Sequence, residues 1–271
     1  MNQHINKPGT YVPETNLTYP ENPQEFMIQP NIVHPVDIEN NYTFLDKSFK
    51  QKLLSFGIYG AIFTIVFPIH RIKYGLKIKG KSNLRKNRKL FKNGAMTICN
   101  HVYRWDFLAV VQAVKYRRLW YPSRPENVMT PDRNLIKGTG GIPIPQSISA
   151  LRNFYKAFDE LHNRKKWFHI FPEACRWEYY QPIRPFRLGG FKMAYKYQIP
   201  VIPMVISYRE PKGLYKLFKV KHPLITLTIG EPILPVGKEG ERKNEICISM
   251  QKKAHQQMVK MAGIEQNKWE V

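Results

Sequence analysis

The segment that decides the fold of this chain reads Ala95-Met-Thr-Ile-Cys-Asn-His-Val-Tyr-Arg-Trp-Asp106. It opens on a short apolar run, residues 95–99, which is typical of a buried strand. Apolar side chains then recur at helical spacing from Arg104 to Lys115. Because a strand that leads into a helix is the unit of helix-covered parallel sheets, the segment predicts an α/β fold.

The rest of the chain continues this alternation of strands and helices. The same patterns predict strands at residues 72–79, 167–171, 201–207 and 224–229, and helices at residues 151–161, 186–197 and 244–261. We therefore expect a mostly parallel central sheet covered by helices, in one domain that spans residues 74–271.

The composition is that of a folded, strongly basic protein. Of 271 residues, 43 are Lys or Arg and 20 are Asp or Glu, which gives a formal net charge of +23, and 43% are hydrophobic. This excludes a disordered chain and predicts an anionic partner: nucleic acid, anionic lipid or a phosphorylated substrate. The three cysteines are too few for a disulfide framework or a zinc cluster, and they favour a reducing compartment.

The first 46 residues differ from the rest in charge. They contain six acidic residues and one lysine, are rich in Asn, Pro and Thr, and show no helical or strand period. We interpret residues 1–46 as an acidic polar arm that is either packed on the domain or disordered. From Lys47 to Trp105, in contrast, the chain has fourteen basic residues and no acidic one.

Residues 47–73 are predicted to form a membrane-associated helix. Their centre, Leu53 to Ile69, is apolar over 17 residues, which as a helix reaches about 25 Å, the lower limit for crossing a bilayer core. Basic residues flank both ends, which favours a helix that dips into one leaflet over one that spans the membrane. Pro68 is expected to end the helix. The alternative is a buried core helix.

The first acidic residue after the arm, Asp106, follows His101 by five residues. Within one α-helix this spacing puts two side chains on different faces, so they meet only if His101 lies in the turn before the helix and Asp106 in its first turn. A carboxylate that binds one imidazole nitrogen leaves the other free to act as a general base. Taken alone, the spacing also fits a helix with an acidic first turn and no catalytic role.

A second group of polar residues lies in the segment Phe171-Pro-Glu-Ala-Cys-Arg176. Glu173 and Arg176 would follow a strand at its carboxyl end, where α/β sheets bind ligands, and an Arg there suits a phosphate. The alternative is a surface ion pair. Further along, Ile199-Pro-Val-Ile-Pro203 has two prolines three residues apart, which indicates either the wall of a groove or an edge strand.

Together these segments resemble, in order and spacing, the four-block pattern of the 1-acyl-glycerol-3-phosphate acyltransferase family. The family's first block, Asn-His-x4-Asp, is matched by Asn100, His101 and Asp106. Its third block is matched by Phe171, Pro172, Glu173 and Arg176, and its fourth by Ile199 to Pro203. The resemblance covers roughly residues 55 to 240, and the ordered combination is more specific than any single block.

The chain departs from the family pattern in its second and third blocks. The second block corresponds to Gly141-Ile-Pro-Ile-Pro-Gln146, so Gln146 stands where the family has an Arg that helps to hold the acceptor phosphate. In the third block, Ala174 and Cys175 replace Gly and Thr. A nucleophilic role for Cys175 is the alternative to that of a small residue that fills a turn.

The resemblance implies a membrane-associated acyltransferase that moves a fatty acyl group from an acyl thioester to a lysophospholipid hydroxyl. Lysophosphatidic acid is the first acceptor expected, with phosphatidic acid as the product, in phospholipid biosynthesis. His101 is implied as the general base, polarised by Asp106. The residues implied to contact substrates are Asn100, Gly141, Pro172, Glu173, Arg176 and Pro200.

The resemblance also implies the partners of the enzyme. No metal and no cofactor is expected, and acyl-coenzyme A or acyl-acyl carrier protein is the co-substrate. The expected location is the cytoplasmic face of an anionic membrane, which fits the basic residues around the apolar segment.

Three other functions stay open at this stage: acyl transfer to another lyso-lipid, a catalytically inactive relative, and a basic nucleic-acid-binding protein. The retained His, Asp, Glu and Arg of the first and third blocks argue against an inactive relative. The apolar segment and the lack of a recognisable recognition module argue against nucleic-acid binding, so no nucleic-acid partner is expected.

Overall fold

The computed structural model describes residues 3–115 and 117–270. Its helices are α1 (Phe49–Ala61), α2 (Phe67–Ile72), α3 (Lys81–Lys86), α4 (Asp106–Ala113), α5 (Arg133–Thr139), α6 (Ile148–Asn163), α7 (Gly189–Lys196), α8 (Leu214–Leu217) and α9 (Lys243–Met261). Its strands are β1 (Ile5–Asn6), β2 (Lys77–Lys79), β3 (Met96–Cys99), β4 (Leu119–Ser123), β5 (Gly141–Pro143), β6 (Trp167–Ile170), β7 (Val201–Arg209), β8 (Leu224–Ile229) and β9 (Ile264–Gln266).

Seven strands of the described residues form one sheet in the order β2-β8-β7-β3-β6-β4-β5. Neighbouring strands are parallel except for β7 and β8, which form an antiparallel pair. The predicted fold class, a mostly parallel central sheet covered by helices, is confirmed. Because β3 to β7 all run in one direction, they end at the same edge, which we call the carboxyl edge.

The central strands are buried because their side chains alternate between two apolar clusters. In β7, Val201 and Val205 belong to the cluster formed with α6, α7 and α9, whereas Ile202 and Met204 belong to the cluster formed with α4. Strands that are covered by helices on both faces read as nearly continuous apolar runs, which is why residues 95–99 were recognisable in the sequence.

Within the seven-stranded sheet, the structure differs from the sequence-based elements at three strands, and it adds the pair β1 and β9 outside that sheet. The patterns miss β4 and β5, since Pro122 interrupts the first and the second has only three residues. The strand predicted at residues 72–79 is wrong over its first half. Ile72 ends α2, Gly75 turns the chain at a φ of +55°, and only Lys77–Lys79 pairs with β8.

A single helix of 24 residues, Phe49–Ile72, precedes the sheet and consists of α1, a π-helical segment (Ile62–Val66) and α2. It is long and apolar enough to cross a membrane by length and composition, and only 22% of its most apolar stretch is buried. The expected end at Pro68 is wrong. The Phe67 N–H donates a hydrogen bond to the Ile62 carbonyl, five residues back. This wider turn makes room for the Pro68 ring, which has no N–H to donate, so the helix continues.

The fourth-block segment lies in the centre of the sheet and not at an edge. Pro203 pairs with Ile98 of β3, and its carbonyl accepts a 2.8 Å hydrogen bond from the Gly230 N–H, just past the end of β8. The pairing of β7 with β8 starts at Met204, so the missing N–H of Pro203 falls at the end of that ladder. A missing hydrogen bond destabilises the sheet least at that position.

Residues 3–46 run as an extended arm over the domain. Ile5–Asn6 pairs with β9, Tyr19 donates a 2.8 Å hydrogen bond to the Glu178 carbonyl, and Phe44 enters the core against Phe154. Of the two conformations that the sequence left open for the arm, the described residues take the packed one.

Candidate active site

His101 and Asp106 meet at the carboxyl edge. His101 lies in the turn after β3, and Asp106 is the first residue of α4. His101 Nδ1 and Asp106 Oδ2 are 2.6 Å apart, while Asp106 Oδ1 accepts a 2.7 Å hydrogen bond from the Phe107 N–H. The Asp106 side chain is 2% exposed and that of His101 is 22% exposed. His101 and Asp106 therefore take the two positions in which the sequence allows them to meet.

This geometry sets the state of the imidazole. Asp106 accepts a proton held on Nδ1, and Nε2 has no hydrogen-bond partner among the described residues. The ring is held flat against Phe171, with the two ring centroids 4.0 Å apart and the planes at 12°. A fixed ring with one free, partly exposed nitrogen can accept a proton from a bound molecule.

A second histidine, His169, lies behind this pair. It is completely buried, its Nδ1 is 2.9 Å from Thr97 Oγ1, and its ring packs edge-on against Phe171. Burial, with a smaller effect from the nearby His101, lowers the pKa of His169 to about 3. His169 is therefore neutral at physiological pH and adds no positive charge behind His101.

Glu173 pairs with Arg184, so the alternative of a surface ion pair between Glu173 and Arg176 is wrong. Glu173 Oε2 and Arg184 Nη2 are 2.9 Å apart, and both side chains have no exposed surface. The same carboxylate accepts 3.0 Å hydrogen bonds from the backbone N–H groups of His101 and Arg184. This placement makes Glu173 a positioning residue for the His101 turn and differs from the predicted substrate contact.

Arg184 is the partner of Glu173 that the sequence does not mark. Its guanidinium lies 4.5 Å from the centroid of the Trp177 ring, donates to the Cys175 carbonyl, and donates a 3.0 Å hydrogen bond to the carbonyl of Pro23 in the arm. No local motif marks it, because Arg184 stands eleven residues after Glu173 in an irregular segment.

Arg176 lies outside this buried network. Its side chain is 25% exposed, and its Nε is 4.0 Å from Glu178 Oε2. That distance gives at most a weak ion pair, so the Arg176 charge stays available for an anion. Of the two third-block side chains, that of Glu173 is therefore buried and structural, and that of Arg176 is partly open to solvent.

The other residues predicted to contact substrates take part in the hydrogen bonds and strands of the fold. Asn100 is buried and exchanges two hydrogen bonds with the backbone of Ile206, which ties β3 to β7. The carbonyls of Pro172 and Pro200 accept hydrogen bonds from the N–H groups of Arg187 and Met96. Pro200 precedes β7 and so lies away from the carboxyl edge, whereas Gly141 begins β5 and pairs with Tyr121 of β4.

Gln146 lies at the start of α6, where the arm contacts it. The backbone N–H groups of Gln146 and Ser147 donate hydrogen bonds of 2.8 and 2.7 Å to the two carboxylate oxygens of Glu39. These hydrogen bonds hold the pKa of Glu39 below its usual range. A carboxylate from the arm therefore binds at the segment that aligns with the family's second block.

The alternative of a nucleophilic Cys175 is not supported by the surroundings of its thiol. Cys175 is buried, and its Sγ is 2.8 Å from Arg184 Nη1, so the thiol belongs to the Glu173–Arg184 network. Within residues 3–115 and 117–270, no group of three His, Cys, Asp or Glu side chains could hold a metal ion.

Comparison with known proteins relates the chain to acyltransferases. Residues 75–207, which contain both His101 and Glu173, match the family model described as Acyltransferase. The fold is similar to the crystal structure of the 1-acyl-sn-glycerophosphate (LPA) acyltransferase PlsC from Thermotoga maritima, with a TM-score of 0.51 and 19% sequence identity. That match covers 84% of this chain and 87% of the other. No curated protein gives a significant sequence match.

The family match spans the turn that holds His101 and Asp106 as well as the third-block turn with Glu173, and the fold similarity extends over most of both chains. The chain therefore contains an acyltransferase domain at residues 75–207 and has a PlsC-like fold.

Proposed function

We propose that this acyltransferase moves a fatty acyl group from an acyl thioester to the free hydroxyl of a lysophospholipid, with His101 as the general base. The observation that carries the proposal is the 2.6 Å contact of Asp106 with His101 Nδ1, which leaves Nε2 unpaired among the described residues. Lysophosphatidic acid, the acceptor named for the T. maritima protein, is the first acceptor to test.

The reaction needs one proton carrier and no covalent intermediate on the protein. His101 Nε2 takes the proton of the acceptor hydroxyl as the oxygen attacks the thioester carbonyl carbon. The carbon–sulfur bond then breaks, and the imidazolium returns its proton to the leaving thiolate. Asp106 stabilises the imidazolium during this step and holds the tautomer that leaves Nε2 free. A thioester is already activated, so a positioned base and proximity can supply the rate.

The acceptor's charge is matched by cations near the site. Arg176 is partly exposed and only weakly paired, and a guanidinium can bind a phosphate through two hydrogen bonds. The acid-free run from Lys47 to Trp105 adds a positive field that attracts anionic lipid.

We also propose that the helix Phe49–Ile72 seats the enzyme on the cytoplasmic face of an anionic membrane. Its large side chains point away from the domain at several positions, among them Phe56 and Ile65, which are 78% and 58% exposed. Exposed apolar side chains on a helix with basic ends are typical of a segment that enters a bilayer.

The test is acyl transfer from a long-chain acyl-coenzyme A, and from acyl-acyl carrier protein, to a panel of lysophospholipids in mixed micelles. We expect transfer to lysophosphatidic acid that is lost in His101→Ala. The matched control is His162→Ala, because His162 lies in the last turn of α6, near the start of β6 and at the opposite edge of the sheet. Full activity of His101→Ala would overturn the mechanism.

Gln146 stands where the family pattern has a phosphate-binding Arg. This departure favours a second candidate function, acyl transfer to a lyso-lipid other than lysophosphatidic acid. Transfer in the same panel only to an acceptor other than lysophosphatidic acid would establish it. No transfer from either donor to any acceptor would instead point to a catalytically inactive relative.

A further inference from the structure

The connection between β7 and β8 exposes an apolar patch that the acyl-transfer site does not use. Leu214, Leu217 and Phe218 are 69%, 71% and 74% exposed. They stand at positions i, i+3 and i+4 around the single turn of α8, so they share one face. We call residues 210–221 the β7–β8 tip.

Lysines surround this patch. Lys212, Lys216, Lys219 and Lys221 are all exposed, and the acidic residue of the tip, Glu210, lies 3.4 Å from the Lys212 ammonium. The tip therefore carries a net charge of +3 around three large apolar side chains. Lysines that flank an apolar patch can reach lipid phosphates while the patch enters the acyl boundary.

The tip is continuous with the end of the long apolar helix. The Tyr215 hydroxyl donates a 3.3 Å hydrogen bond to the Arg71 carbonyl, and the rings of Tyr74 and His222 are 4.7 Å apart. Ile72, the last residue of the helix, is itself 74% exposed. Because β7 ends at the carboxyl edge, the tip lies on the same edge of the sheet as His101.

We propose that the β7–β8 tip is a second membrane-docking element, which inserts Leu214, Leu217 and Phe218 into the interface of an anionic bilayer. This inference rests on the membrane association of the proposed function and adds to it. A single membrane-bound helix fixes how deep the enzyme sits but leaves the enzyme free to rotate about the helix axis. A second contact, on the same edge of the sheet as His101, turns the carboxyl edge toward the lipid. A second copy of the chain is a poor occupant, since the two lysine-rich tips would repel each other.

Site-specific fluorescence tests the insertion directly. Cys99, Cys175 and Cys247 are buried, so a thiol-reactive, polarity-sensitive dye reports on an introduced Leu217→Cys. The matched control is Val236→Cys, which is 64% exposed and follows Ile233, the bridge partner of the first residue of β7, at the opposite edge. On vesicles that contain phosphatidylglycerol, we expect a blue shift at position 217 and none at position 236.

Each other outcome overturns the proposal in a distinguishable way. If the protein sediments with the vesicles but the dye at position 217 stays in water, the tip does not dock and the membrane association stands. If the protein does not sediment, the membrane part of the proposed function fails as well. A blue shift that depends on protein concentration without vesicles would assign the patch to a second copy.

A second variant pair measures the contribution to binding. Leu217→Ser with Phe218→Ser removes two side chains that would be buried in lipid, so we expect vesicle affinity to fall about tenfold or more. Val236→Ser is the control and should leave the affinity unchanged. Because all three side chains are exposed in the free protein, the melting temperature should not move. An unchanged affinity in the double variant would overturn the proposal.

Discussion

Glu173→Gln would test the buried ion pair that holds the His101 turn. The carboxylate accepts three hydrogen bonds, from the His101 N–H, the Arg184 N–H and the Arg184 guanidinium, and an amide nitrogen would face one of these donors. Breaking a fully buried pair by removing one charge costs about 3–5 kcal/mol. With about 2.1 cal/mol/K of unfolding entropy per residue, 271 residues lose about 1.8 °C per kcal/mol, so the melting temperature should fall by about 5–9 °C.

The measurement is a thermal melt of the full chain in detergent micelles, with acyl-transfer activity measured well below the transition. Glu178→Gln is the matched control, because its partner Arg176 is 4.0 Å away and both side chains are partly exposed. This control should shift the transition by less than about 2 °C. An equally small shift of the melting temperature in Glu173→Gln would refute the reasoning. A buried Arg184 without its counter-charge should destabilise the fold by more than that. Activity should also fall in Glu173→Gln, since the His101 backbone loses its anchor.

Three further predictions concern the base, the second histidine and the arm. Asp106→Asn should lower kcat by about 10²–10⁴-fold with little change in KM, because an amide neither selects the tautomer nor stabilises the imidazolium; steady-state kinetics checks this, and unchanged kcat would contradict it. The pKa of His169 is about 3 when folded and about 6.5 when unfolded, so the unfolded chain binds the extra proton as pH falls below about 6.5. His169 should therefore remove about 2 kcal/mol of stability between pH 7 and pH 5, a loss that melts of His169→Gln would lack. Glu39→Gln should speed hydrogen exchange at the Gln146 and Ser147 amides, and unchanged exchange would mean that the carboxylate does not bind there in solution.

The His101–Asp106 pair was predictable from sequence because its geometry is local. Both residues belong to one strand–turn–helix unit, so the spacing of five residues already determines that they can meet. The same holds for the central strands, whose continuous apolar runs reflect burial on both faces.

The partner of Glu173 was not predictable, because it depends on contacts that are distant in the chain. Arg184 packs against Trp177 and bonds to the carbonyl of Pro23, which lies more than 150 residues away. Similarly, no rule for proline anticipates that a π-helical turn before Pro68 lets the helix continue.

The contacts of the arm constrain the order in which the chain is assembled. Ile5 pairs with Gln266, so this part of the arm, although synthesised before the domain, can dock only after Gln266 has been made. The Pro23 carbonyl binds Arg184 and the Glu25 carbonyl binds Trp177, so these contacts likewise form only after residues 177–184 have been made. Contacts of such high sequence separation form slowly, because a long loop must close before they are gained. The turn that carries Glu173 is therefore expected to be completed late in folding, when the arm closes over it.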